Sequence, residues 1–200
     1  MAVYTKINKS NLKSINRKFN FENFQSFKGI KQGIENTNYL LRSKNKKFIL
    51  TIFEKRVLKK EIPFFMKLMD QLSNLNFNCP KPLKNYRGDY LIKVKNKTAC
   101  VVSFLDGKDK KKLNFKNCFD IGKTVAQMHL STKNLKLYRK NSMGIKNLNP
   151  LLNSIKFKSK KFINLEKFLK NNLQDIKDKW PKKLPNGIIH GDLFIDNIFF

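Results

Sequence analysis

Arginine is scarce in a chain that is otherwise strongly basic. Of 43 Lys and Arg residues only five are Arg (Arg17, Arg42, Arg56, Arg87 and Arg139), against a formal net charge of +29. Arg supplies the planar fork that reads bases and phosphates bidentately. The charge therefore does not point to a nucleic-acid face, and the lysines are scattered apart from the run "KDKKK" at residues 108–112. Lys, Asn, Ile and Phe are residues of A/T-rich codons, and with 25 Asn and 18 Phe the bias is explained by genome composition alone. The charge can still steer anionic substrates, a rate effect that salt would screen.

Cysteine is equally sparse. Cys79, Cys100 and Cys118 are odd in number, widely spaced and without a CxxC pair, which excludes a disulfide framework and a zinc site of the usual spacing. They read as buried free thiols in a reducing compartment. The N-terminal stretch "MAVYTKINKSNLKSINRKF" has no uninterrupted apolar core of a signal peptide, and no run is long enough to span a bilayer. A soluble, cytoplasmic protein with no membrane partner is expected. There is no internal repeat and no Pro- or Ser-rich linker. What is present is a globular composition, 40% hydrophobic over 200 residues, enough to bury roughly 70% of the surface that the unfolded chain exposes.

The hydrophobic pattern changes character along the chain. Between residues 26 and 104 short β-like runs dominate: "YLLRS" and "KFILTIF" joined by "KNK", then "YLIKV" and "TACVVSF" joined by a second "KNK". Between the pairs, Phe65, Leu68, Met69, Leu72 and Leu75 recur at helical spacing, with Pro63 suited to the first turn. After Asp106-Gly107 the periodicity is helical. Cys118, Ile121, Val125 and Met128 predict a helix near 115–131, and Phe162, Leu165, Leu169, Leu173, Ile176 and Trp180 a second near 160–179. "PKKLPNG" breaks the pattern, and "IIHGDLFIDNIFF" reads as strand, loop, strand. A small β-rich lobe, residues 1–104, is expected to precede a helical lobe, residues 105–200, with a hinge near 104–107.

Two stretches carry chemistry. In "HGDLFIDN", Asp192 and Asn197 stand five apart, the spacing of an H-x-D-x-x-x-x-N loop. Such a loop sets one oxygen-bearing side chain toward an attacking hydroxyl and another toward a metal on the phosphates. A polar turn between two strands is the alternative. "GIKQGIENTNY", residues 29–39, lies ahead of the first hairpin; Gly29 and Gly33 permit the close backbone approach that a phosphate-cradling loop needs. It is neither a Walker A sequence nor GxGxxG, and alone it reads equally as a plain turn. The order of glycine loop, helix, hinge and HGDxxxxN is nevertheless the order found in kinases.

With these residues in view, "HGDLFIDNIFF" resembles the catalytic loop of the aminoglycoside phosphotransferase and choline kinase superfamily. "SFKGIKQGIENTNYLL", "FILTIFEKRV", "IPFFMKLMDQL" and "CPKPL" extend the resemblance over nearly the whole chain, most closely to bacterial homoserine kinases. The resemblance implies an α+β, protein-kinase-like two-lobed fold: a small antiparallel β lobe plus an incomplete helical C-lobe. It implies ATP and Mg2+ as cofactors, L-homoserine as the small-molecule substrate, Asp192 as catalytic base and Asn197 as magnesium ligand. Gly29, Gly33, Asn36 and Asn38 would then line the loop over the ATP phosphates, with Ser103 and Leu105 near the adenine. His190 would hold the loop, and His129 would pack or cap its helix. Oligomeric state is left open.

The sequence departs from the family at two places. Thr51 stands where a strand lysine or arginine is expected; Lys55 or Arg56, partnered by Glu61, are the substitutes. The family's second metal ligand, an Asp beyond the catalytic loop, has no counterpart before Phe200. "NIFF" would be the first strand of a hairpin whose partner carries that Asp. The expectation is therefore a fragment of a longer kinase, with little turnover by itself. Choline, an aminoglycoside or another small alcohol as acceptor, a Lys-rich nucleic-acid binder, and an inactive remnant are the competing readings.

Overall fold

In the computed structural model, residues 3–31, 35–54, 58–142, 144–155 and 162–200 are described. They form two compact units: Met1–Leu137 with Ile188–Phe200, and Tyr138–Gly187.

The first unit is built on one antiparallel sheet of five strands, β1 (Ser26–Gly29), β2 (Thr37–Arg42), β3 (Lys47–Ile52), β4 (Leu91–Val94) and β5 (Lys97–Ser103), in the order β1-β2-β3-β5-β4. The two expected hairpins share this one sheet, joined where Phe48 pairs with Ser103 and Ile52 with Ala99. The β4–β5 connection is a two-residue turn, Lys95 and Asn96, both at positive φ (46° and 63°). That backbone matches the twist of the flanking strands, and Asn tolerates it well.

Strand alternation gives the sheet two apolar faces. Tyr39, Leu41, Leu50, Ile52, Ala99 and Val101 pack on one side with Leu12 and Ile15 of helix α1, Lys9–Phe19. Cys100 and Val102 pack on the other side with Ile62 and Met66 of helix α2, Ile62–Asn74. Pro63 lies in the first turn of α2, where its missing N–H costs nothing. Burying a leucine such as Leu41 or Leu50, each fully enclosed, contributes about 1.5–3 kcal/mol.

Helix α1 is not legible from apolar spacing alone. A capping box sets its start: Asn11 N donates to Asn8 Oδ1 at 2.9 Å, and Asn8 N to Asn11 Oδ1 at 3.1 Å. Asn20 ends it in the left-handed region, φ 49°. Helix α3, Phe115–Thr132, starts with the same device, Asn114 with Asn117. Ile121, Val125 and Met128 are its half-buried stripe, whereas Cys118 is exposed. His129 is exposed in its last turn.

The second unit holds α4 (Ile145–Ser154), which contains Pro150, packed with α5 (Ile163–Lys179). Leu152 and Leu173 are its buried apolar residues. Helix α5 is the one expected near 160–179; α4 has no counterpart in the expectations. Among the described residues no helix is long and apolar enough to cross a membrane.

Candidate active site

The final segment departs from the strand–loop–strand expectation. Residues 188–194 and 198–200 are not strands, and Ile195–Asn197 is a short 3-10 turn. A strand exists through a hydrogen-bonded neighbour, and here the exchange is a single pair: Lys108 N donates to Phe200 O and Phe200 N to Lys108 O, both at 3.0 Å.

The loop itself is locally determined. Gly191 occupies the left-handed region at φ 78°, a conformation that any side chain would resist. The 3-10 turn, with Asn197 N donating to Phe194 O at 3.0 Å, brings Asn197 back over Asp192. Its Nδ2 donates to Asp192 Oδ2 at 3.0 Å and to Asp192 O at 2.9 Å. Both partners are acceptors only, so the amide nitrogen must face them. Asn197 Oδ1 therefore points outward and receives no hydrogen bond from a described residue. The result is an exposed carboxylate beside an exposed amide oxygen, two hard-oxygen donors at one loop mouth. His190, expected to hold this loop, is exposed; the Asn197 amide holds it instead.

Of the other expected site residues, Gly29, Asn38 and Ser103 lie on the sheet of the same unit, with Asn36 and Leu105 just beyond strand ends. On the α2 face, register places Asn38 beside Thr51 and Cys100, and Lys28 beside Leu40, Ile49 and Val102. Thr51 Oγ1 donates to Asn38 Oδ1 at 2.8 Å. Ile30 N donates to Asn38 O at 2.9 Å, which fixes where the β1–β2 connection leaves and re-enters the sheet. Asn36 accepts from Glu54 N at 3.4 Å. Gly29 lies in β1 on the opposite face, paired with Tyr39; an added Cβ there would stand 3.0 Å from Val3 Cγ2. Close approach at Gly29 is thus to the N-terminal segment. Gly33, Lys55 and Arg56 lie outside the described residues.

At the far end of the sheet, Ser103 is engaged structurally: its Oγ accepts from Lys81 N at 2.9 Å, and its N–H donates to Lys81 O at 2.8 Å. Leu105 is exposed, and its backbone makes no hydrogen bond among the described residues. Phe104 N donates to Lys47 O at 3.2 Å, and Lys47 Nζ pairs with Asp106 at 2.9 Å. The Cys100 thiol is pushed up to about 12 by burial, which makes it an inert part of the platform rather than a nucleophile.

One charged cluster escaped the sequence reading. Glu54 Oε1 accepts from Thr5 Oγ1 at 2.7 Å and Thr37 Oγ1 at 2.6 Å, while Oε2 pairs with Lys97 Nζ. Thr37 Oγ1 in turn accepts from the backbone N–H groups of Tyr4 and Thr5. Burial opposes ionisation of Glu54, but Lys97 and the two hydroxyls together outweigh it and hold the carboxyl below the usual range. The pair borders a cavity of about 320 Å³, yet its carboxylate is already saturated, so the cluster ties the N-terminus to the sheet. No local motif signals it, because its members come from four separate segments.

The model of the APH phosphotransferase enzyme family matches residues 26–200. Curated homoserine kinases of Parvibaculum lavamentivorans and Rhizobium etli are 35% and 36% identical over 201 aligned residues. The match covers 100% of this chain, which spans 63% of the length of each relative. Among solved structures, a microcompartment-associated aminopropanol kinase superposes with a TM-score of 0.72 at 14% identity, over 96% of this chain and 64% of that one. An amicoumacin kinase solved with AMP-PNP, Ca2+ and Ami gives 0.71 at 16%, over 94% and 59%. At such identities the likeness shows the fold, and it is the kinase-like mixture of helix and antiparallel sheet expected from the sequence.

Proposed function

This chain belongs to the APH phosphotransferase enzyme family, and from that premise we propose that it is an ATP-dependent kinase of the side-chain hydroxyl of L-homoserine. The product would be O-phospho-L-homoserine for threonine biosynthesis, a cytoplasmic reaction. The observation that carries phosphoryl transfer is the Asp192–Asn197 pair, its amide 3.0 Å from the carboxylate. The choice of acceptor rests on the homoserine kinases that match the whole chain.

In this reading residues 1–104 form the nucleotide-binding lobe and residues 105–200 part of the helical lobe. Asp192 orients the hydroxyl and takes its proton as the oxygen attacks the γ-phosphorus; the Pγ–O bond to ADP breaks as the new one forms. The Asn197 amide keeps that carboxylate aimed, so positioning supplies most of the rate. Asn38, with Thr51, and Asn36 border the phosphate end of the platform. Leu40 and Ile49 form its apolar floor, and Ser103 and Leu105 its adenine end, where the Leu105 backbone is open to a ring edge.

The donor set suits Mg2+. Asn197 Oδ1 faces outward, and carboxylates of Asp192 and Asp196 are near it in sequence and exposed. Mg2+ keeps several waters and takes phosphate oxygens as ligands, so one or two protein carboxylates with an amide oxygen are enough to hold it. When bound, Mg2+ neutralises charge on the phosphates. The net charge of +29 draws the nucleotide in, an effect that salt weakens.

ADP release, with 31P NMR of the product, tests the reading on homoserine, choline and an aminoglycoside in parallel. Transfer to homoserine well above the other acceptors is expected. Preference for another alcohol would overturn the substrate, and transfer to none would make this chain an inactive relative.

A further inference from the structure

We propose that residues 104–110 are a strap that positions the catalytic loop, and that position 107 is glycine because Phe199 leaves no space for a side chain. The inference rests on the proposed phosphotransfer for its functional consequence, while its geometry stands apart from it.

The strap is held at both ends. At its start it continues directly from β5, and Phe104 N donates to the backbone oxygen of Lys47 at the head of β3. The Lys47–Asp106 ion pair beside it is exposed, 41% and 84% at the two side chains, so it adds little. At its other end three contacts converge on the exit of the loop. Lys108 and Phe200 exchange both backbone hydrogen bonds, which fixes their register. Lys110 Nζ lies over the Phe200 ring at 4.3 Å, a cation–π contact. Between them, a Cβ built on Gly107 would stand 3.0 Å from Phe199 Cβ, with Phe200 O at 3.5 Å.

Gly107 is not among the positive-φ glycines, which are Gly88 and Gly191. Its backbone would therefore accept alanine, and the constraint is the neighbour alone. That neighbour is a Cβ rather than a flexible side-chain tip, so it moves only if the backbone at 199 moves. Asn197, whose amide aims Asp192, lies two residues before it. A methyl at 107 thus displaces the Asn197 amide by a few tenths of an ångström through the backbone at 199. Gly107 is a positioning residue.

The test uses the full 15N-labelled chain and two readouts: the side-chain NH2 signal of Asn197, identified by its loss in Asn197→Ala, and the affinity for Mn2+·AMP-PNP. Gly107→Ala should shift the signal toward that of free amides. It should also weaken binding about fivefold, less than the roughly 10–100-fold that outright loss of an outer-shell partner costs a metal site. Gly107→Ala/Phe199→Gly should restore both, because it removes the opposing Cβ; Gly107→Ala/Phe199→Ala keeps that Cβ and should not. Gly122→Ala, with nothing within 4 Å of the new methyl, should change neither. An unmoved Asn197 signal in Gly107→Ala, or equal rescue by both double variants, would overturn the strap. If the signal follows the expected pattern but no variant binds nucleotide, the strap stands and the proposed function falls.

Discussion

Replacing Glu54 by glutamine tests the cluster that ties the N-terminus to the sheet. The Glu54 side chain is 8% exposed and takes two hydroxyl donors and one ammonium. Glutamine keeps an oxygen for Thr5 and Thr37, but those bonds lose their charge assistance, and the new NH2 opposes Lys97 Nζ, donor against donor. Hydrogen bonds to charged groups contribute about 1.5–3 kcal/mol each. Lys97, 41% exposed, recovers part of its loss from water. The net cost is roughly 2–3 kcal/mol, and at about 2–4 °C per kcal/mol for a chain of this size Tm falls by roughly 4–12 °C. The pH dependence carries the sign. Because the folded carboxyl titrates below the ordinary 4.5, its stabilisation is complete above that value and is lost as pH falls through the folded pKa. Urea unfolding followed by far-UV circular dichroism is the assay, since the single tryptophan, Trp180, belongs to the other unit. The gap between wild type and Glu54→Gln should be full near about pH 6 and narrow toward about pH 3. A gap under about 0.5 kcal/mol, the level of ordinary surface changes, or one constant with pH, would refute the reasoning.

Asp192→Asn should lower phosphoryl transfer by at least about 100-fold, the scale of a lost general base. It should leave the far-UV spectrum unchanged, since the side chain is exposed; a rate within about twofold would remove Asp192 from that role. The three thiols should react with an aromatic disulfide reagent in the order of their exposure: Cys118 at once, Cys79 slowly because burial raises its pKa, and Cys100 only in denaturant. Loss of the fast phase in Cys118→Ser checks the assignment, and rapid reaction of Cys100 in the native chain would contradict its burial.

Where an element is decided by its own residues, the sequence made it legible. Helices α2, α3 and α5 follow from apolar spacing of three and four, and both hairpins from alternating runs around short polar turns. Helix α1 was missed for a chemical reason. The abundance of Asn reads as composition, yet at Asn8, Asn11, Asn114 and Asn117 its amides cap helix starts, and at Asn20, Asn23, Asn76 and Asn96 it takes positive φ. The N-x-x-N spacing ahead of Leu12 and Ile15 was the available signal. The strand expectation at residues 188–190 and 198–200 failed differently. Apolar residues permit a strand, but a neighbour with free N–H and C=O groups makes one, and here that neighbour is the single pair with Lys108.

Asp192 and Asn197 are close in sequence, and their spacing sets both side chains at one loop mouth; the contact between them is made by the 3-10 turn and the left-handed Gly191. The glycines show the limit. Gly29 is expected to approach phosphates, whereas the atom that crowds it belongs to Val3; Gly107 falls in the expected hinge, whereas Phe199, from the loop that carries Asp192, crowds it. In both cases the crowding neighbour comes from a distant segment, brought close by the sheet in one case and by the Lys108–Phe200 pair in the other. A glycine in a sequence marks a place without a side chain. What needs that space is decided by tertiary contact, and at position 107 the need comes from the loop that carries Asp192.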